Sequence, residues 1–192
     1  ARLISELEKY INTPSELPTI IRAGLAHLQF ETIHPFLDGN GRIGRLLIVL
    51  MLISDGVLHA PILYPSYFFK KYHSQYYLAL ERVHTHGDFE GWIMYYLKAL
   101  RDSARDAYDK ANEILRLIER TKKKILACPR LERVSESAFA AIDYLCMQPV
   151  TSANDLSAKL DKSYNAAQAL IDNLVSIGIL AELTGNKRNK RY

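Results

Sequence analysis

Apolar positions recur at helical spacing along most of the first 125 or so residues. In "PTIIRAGLAHLQFETI" (18–33), Ile21, Leu25, Leu28 and Thr32 share one face, and Pro18 suits a first turn. His34 precedes Pro35, whose ring pushes the residue before it out of the α region, so a stop is predicted there. A second helix is predicted to begin at Asn40, a favourable N-cap, and to run through "GRIGRLLIVLMLIS" to Gly56. Past Leu46 it is apolar almost all round, the pattern of a central buried helix. An aromatic-rich helix from Tyr67 to Val83, a turn at "HTHGD" and "FEGWIMYYLKAL" follow. A long amphipathic stretch through Leu100, Ala104, Ala107, Ala111, Ile114, Leu115, Ile118 and Ile125 then runs to Leu126, and Pro129 ends it.

From about residue 134 the rhythm changes. "SESAFAAIDYLCMQ", "TSANDLSAKL" (with Thr151 or Ser152 as N-cap) and "SYNAAQALIDNLVSIG" read as three short helices. "ILAELTGNKRNKRY" then reads as a short apolar run, a Gly-Asn turn and a basic return. Three helices and a hairpin describe a winged helix-turn-helix, with the chain stopping at Tyr192 inside the wing. The predicted fold is mainly α: a helical core with its connecting helix over 1–126, and a winged helix-turn-helix module over 127–192.

Composition narrows the classes. With 192 residues and 48% hydrophobic content, the chain can bury one sizeable core or two modest ones. The net charge of +4 is not a general basic coat; Lys187, Arg188, Lys190 and Arg191 cluster at the end. Cys128 and Cys146 have no CxxC or Cys/His neighbours and are expected to be reduced, buried thiols of a cytoplasmic protein. The opening "ARLISELEKY" is not a signal peptide. The longest apolar run, "LLIVLMLI" (46–53), falls short of the roughly 18 residues of a membrane span, so no membrane partner is expected.

The chemistry gathers in "HPFLDGNGRIGRLL" (34–47). Arg42 and Arg45 sit at the predicted start of a helix, where its dipole disfavours cations. Gly39, Gly41 and Gly44 match GxGxxG, but that fingerprint needs a preceding strand, and a helix precedes it here. Glycines at a helix N-terminus do let backbone N–H groups converge on an anion, and a phosphate there reverses the penalty on the arginines. Arg42 and Arg45, three residues apart, share a face, and their planar forks suit phosphate oxygens. Asp38, beside the glycines, is a carboxylate of the kind that carries Mg²⁺ next to a polyphosphate. His34, held on a turn by Pro35, is the candidate base, since histidine changes charge near neutral pH.

"HPFLDGNGRIGR" resembles, without departure, the Fic family signature HPFx[DE]GNGRxxR. The similarity continues through "RAGLAHLQFETIHPF", "YFFKKYHSQYYLALERV" and "GDFEGWIMYYLKAL", and the C-terminal module fits a bacterial subclass of the family with a winged helix. The resemblance implies a protein adenylyltransferase that moves AMP from Mg-ATP to a Tyr, Thr or Ser hydroxyl of a target protein, with self-modification also open to it. It implies that His34 deprotonates the acceptor and that Phe36 packs into the core to fix the loop. It implies that Asp38 binds Mg²⁺, that Gly39, Asn40, Gly41 and Gly44 belong to the phosphate cradle, that Arg42 holds the α and β phosphates, and that Arg45 holds the γ phosphate. Tyr77 matches a family tyrosine near the adenine; His84 stands where the family has Asn. The family's flap hairpin and its inhibitory [ST]xxxE[GN] helix find no counterpart here, so the chain is expected to be a fragment of a longer protein.

Two other readings stand beside this one. The core could transfer another phosphate-linked group, as some family members do. Alternatively, the chain could be a DNA-binding regulator with a nucleotide-sensing core, reading DNA through "SYNAAQALIDNLVSIG" and a wing of Lys187, Arg188, Lys190 and Arg191. That helix carries Asp172 and no Lys or Arg after Lys162, which favours protein contact or a homodimer over DNA.

Overall fold

The computed structural model describes residues 2–185 and 189–192. Lys187 and Arg188 lie outside the described residues. Among those described, all regular structure is helical: α1 (Arg2–Asn12), α2 (Thr19–Ile33), α3 (Asn40–Ser54), α4 (Pro65–Lys71), α5 (His73–His86), α6 (Phe89–Leu126), a 3₁₀ turn (Pro129–Val134), α7 (Ser135–Met147), α8 (Ala153–Leu160) and α9 (Tyr164–Ser176). None of the described helices is long and apolar enough to cross a membrane. Two compact units, Ala1–Lys110 and Ala111–Tyr192, divide the chain within α6.

The core of the first unit forms where α2 meets α3. Ala23, Ala26 and Phe30 of α2 and Ile48, Met51 and Leu52 of α3 are buried, with Phe68, Phe69, Tyr76, Trp92 and Tyr96 around them. The face of α2 expected from Ile21, Leu25, Leu28 and Thr32 is not the most buried one, and Thr32 is exposed. The small residues Ala23 and Ala26, which periodicity weighs lightly, take the tightest side. Gly24 belongs to that side too. The Trp92 indole N–H donates to its carbonyl at 3.0 Å, and a Cβ at Gly24 would stand 2.7 Å from the Tyr96 ring. Both rings sit in the core and cannot retreat, so Gly24→Ala overpacks it. It is expected to cost about 1–3 kcal/mol, read by thermal or urea unfolding.

Arg22 ties this core to its surroundings. It is 7% exposed, and its guanidinium donates to the Ile11 carbonyl at 2.7 Å, to the Thr13 carbonyl at 3.1 Å and to Asp55 at 3.4 Å. One side chain thereby satisfies carbonyls at the end of α1 and meets the carboxylate that follows α3.

Several predicted features change in the structure. α3 is not buried all round, because α2 covers one side of it; Ile43, Leu46 and Leu50 are exposed. Its N-cap is Gly39 (φ +83°), and Asn40 is the first helical residue. The aromatic helix is two helices broken at Tyr72, and α5 continues through "HTH" to a left-handed Gly87. Cys128 is half-buried and Cys146 exposed, both free. α7 turns Ala138, Ala141 and Ile142 inward, and Cys146 falls off that face.

In the second unit, α7, α8 and α9 enclose Leu131, Ala138, Ile142, Leu156, Ile171 and Leu174. Ser152 caps α8 in a capping box with Asp155, and Ser163 caps α9. Where a returning wing strand is predicted, the chain pairs without an assigned strand. Leu183 N–H donates to the Arg191 carbonyl at 2.8 Å, and Thr151 and Tyr192 exchange both backbone hydrogen bonds at 3.0 Å.

Candidate active site

The turn between α2 and α3 is fixed by backbone geometry. His34 ends α2 in the left-handed region (φ 48°, ψ 58°), with its N–H on the Phe30 carbonyl. A non-glycine residue there carries local strain that the surrounding turn must hold. Asn40 does the holding. It is 2% exposed, its Oδ1 accepts from Phe36 N–H at 2.9 Å, and its Nδ2 donates to the Phe36 carbonyl at 2.6 Å. The Phe36 ring, expected in the core, is 50% exposed and only leans on Phe30. The loop is therefore fixed through the backbone of Phe36, and the Asn40 side chain is occupied there.

The N-terminus of α3 is open. Gly39 offers no side-chain cap, so the first-turn amides of Asn40, Gly41 and Arg42 lack a capping acceptor. Asp38 is exposed; Gly39 N–H donates to its Oδ1, and its Oδ2 faces Arg42 Nη2 at 3.3 Å. Such an exposed pair contributes at most about 1 kcal/mol, so an incoming anion and its counter-ion can separate it readily. Arg45 reaches further in, and its Nε donates to Ser66 at 3.2 Å.

These groups line one cleft of about 730 Å³: His34, Asp38, Gly39, Asn40, Gly41, Arg42 and Arg45 along one side, with Ser66, Lys70, His73, Tyr76 and Tyr77 of α4 and α5 among those on the other. Tyr77 packs against His73 with the rings tilted at 59° and their centroids 4.5 Å apart. His84 does not line the cleft; it sits 2.9 Å from the Thr32 hydroxyl instead. Gly44 does not line it either. A Cβ there would stand 2.9 Å from both Glu31 and the His27 ring, so this glycine permits α2 and α3 to approach.

A buried polar cluster lies at the same α2–α3 seam. His27 is fully buried, stacks on Phe69, and shares a 3.1 Å hydrogen bond with the Tyr76 hydroxyl. Burial pushes its imidazole down to about 4; the Gly44 backbone opposes this, and the Arg45 charge adds to it. Burial also raises the Glu31 carboxyl, against the pull of Arg45 and His34. Sequence reasoning passed over this cluster. Glu31 had a visible signal, standing one turn before His34 on the same helix; Ser66, 21 residues from Arg45, had none.

In the second unit, Lys190 pairs with Glu182 at 2.9 Å and Arg191 with Asp155 at 2.8 Å. Both cations expected on the wing and described here therefore already face carboxylates.

Residues 1–52, which include the whole 34–45 stretch, match the Fic/DOC family. The chain is 34% identical over 97 residues, half its length, to the protein adenylyltransferase Fic of Drosophila erecta. It is 35% identical over 57 residues, 30% of its length, to a probable protein adenylyltransferase of Aquifex aeolicus. In each case the matched stretch is 18% of the relative's own length. A Fic family protein of known structure from Desulfovibrio desulfuricans G20 aligns over the whole chain and 53% of its own, at 22% identity and a TM-score of 0.49, too slight a likeness to build on. The chain thus carries a Fic/DOC family match at residues 1–52 and is similar to proteins named as protein adenylyltransferases.

Proposed function

We propose that residues 1–126 form an adenylyltransferase core that moves AMP from Mg-ATP to a Tyr, Thr or Ser hydroxyl of a target protein. The observation that carries this reading is the convergence on one cleft of a histidine, a carboxylate, an uncapped helix N-terminus and two arginines. The acceptor oxygen attacks the α-phosphorus while its proton passes to the His34 imidazole. The bond from the α-phosphorus to the bridging oxygen breaks, and pyrophosphate leaves with the electron pair. Charge grows on oxygens that face the first-turn amides of α3, Arg42 and Arg45, donors already in place before reaction. Asn40 acts through the loop it clamps, and Tyr77 offers a ring to the adenine.

Asp38 fits a Mg²⁺ that brings most of its ligands with it. It is one exposed carboxylate, and among the described residues no group of three or more His, Cys, Asp or Glu gathers to hold a metal alone. Phosphate oxygens and water complete such a site. Bound there, the ion would neutralise charge on the departing pyrophosphate.

Residues 127–192 are read as a winged helix-turn-helix type module, supported by the order α7–α8–α9 and the paired backbone of 183 with 191 and 151 with 192. Because Lys190 and Arg191 are engaged by carboxylates, we favour a protein partner for it over DNA.

Calorimetry tests the nucleotide site. Wild type is expected to bind Mg-ATP. Arg42→Ala and Asp38→Ala should each weaken binding about tenfold or more, as expected on losing a charge-assisted contact. Unchanged affinity in both variants would place the phosphates elsewhere.

A further inference from the structure

Arg45 is tethered to α4 through its side chain. Its Nε–H donates to Ser66 Oγ at 3.2 Å, linking α3 to the first turn of α4. Its Nη1 lies 2.8 Å from where a Cβ on Gly41 would stand, so the guanidinium folds back along α3 toward the open N-terminus. On its inner side its charge reaches Glu31, Tyr76 and His27 of the buried cluster. Ser66 and Arg45 both line the cleft.

Arginine carries five N–H donors in one rigid plane. When Nε–H is taken by a neighbour, that plane is fixed and the two terminal nitrogens remain as a fork for two oxygens. We propose that Ser66 is a positioning residue for triphosphate recognition: it takes the Nε–H of Arg45 and leaves both terminal nitrogens for oxygens of the outermost phosphate. This rests on the adenylyltransferase reading above, in which Arg45 meets the γ phosphate. A serine suits the task because it is a small neutral acceptor. A carboxylate there would cancel the charge that must attract phosphate.

The experiment has two readouts on the 192-residue chain. The first is the Arg45 Nε–H signal in ¹⁵N NMR, assigned by its loss in Arg45→Lys. It is expected to be protected from exchange in wild type, lost or fast-exchanging in Ser66→Ala, and restored in Ser66→Thr. The second is calorimetry with Mg-ATP and with AMP. Ser66→Ala should weaken ATP about 3- to 10-fold, the range for one neutral hydrogen bond, leave AMP unchanged, and have no further effect in an Arg45→Ala background. An unchanged Nε–H signal in Ser66→Ala overturns the inference alone. So does an equal loss for ATP and AMP, or a loss that persists without Arg45, since these mark general damage to the fold. A wild-type chain that binds no Mg-ATP overturns the reading beneath it, whatever the Nε–H signal does.

Discussion

Replacing His34 with Ala is expected to cut AMP transfer by about 10²–10⁴ while leaving Mg-ATP binding near the wild-type level. The separation follows from placement. In the proposed reaction the phosphates meet the α3 amides and two arginines, whereas His34 stands at the other end of the turn, immediately before Pro35. Its contribution is realised only as the acceptor loses its proton, so it appears in turnover and not in nucleotide affinity. One complication is its left-handed backbone (φ 48°), which alanine tolerates less well than asparagine. His34→Asn therefore accompanies it: loss of transfer in both, with ATP binding kept, assigns the effect to the missing base. Transfer within about tenfold of wild type in both variants would remove His34 from that role.

Acid is expected to destabilise the first unit through His27. In the folded chain burial holds this imidazole down to about 4, against about 6.5 for an exposed histidine. Between those pH values the unfolded chain binds a proton that the folded chain refuses, so stability falls as pH drops. The stability is fully present above about 6.5, is lost progressively down to about 4, and amounts to about 3 kcal/mol at the lower end. Glu31 works in the opposite sense. Its carboxyl is raised by burial, so it favours the folded state at low pH and loses that contribution as pH rises through its folded value. The difference between wild type and His27→Gln isolates the histidine, because glutamine keeps a hydrogen-bonding group for Tyr76 without titrating. Urea unfolding of both between pH 4 and 7 should show the steeper acid loss in wild type. Parallel curves would mean that His27 takes up its proton in the folded chain.

What was legible in the sequence followed from local chemistry. Pro35 and Gly56 set helix ends through backbone constraints that act within a residue or two, and Ser152 caps α8 by the same short-range rule, whereas α5 runs past the expected end at Val83 to Gly87. The stretch from His34 to Arg45 could be read as an anion site because its glycines, its arginines and the helix start are adjacent in the chain. The misplacements come from contacts between distant residues. Asn40 reads as a cap, but the Phe36 backbone claims its amide, and Gly39 takes the cap position. Gly44 belongs to the motif by spacing, yet its missing side chain makes room for Glu31 and His27 of α2. His84, seven residues after Tyr77, shares its helix face, but two turns along α5 it meets Thr32 and lies outside the cleft. The exposed stripe of Ile43, Leu46 and Leu50 shows the limit of periodicity, since an apolar side chain does not by itself report whether a neighbour covers it.

The central claim is that the AMP moiety of ATP moves onto protein under the action of His34. The most direct measurement supplies the chain and a cell lysate with Mg²⁺ and ATP labelled at either the α or the γ phosphorus, and reads protein-bound label for wild type and His34→Ala. The account predicts label on protein from the α position only, and its loss in the variant. Label arriving from the γ position, no protein label from the α position with wild type, or α label undiminished in His34→Ala would contradict it.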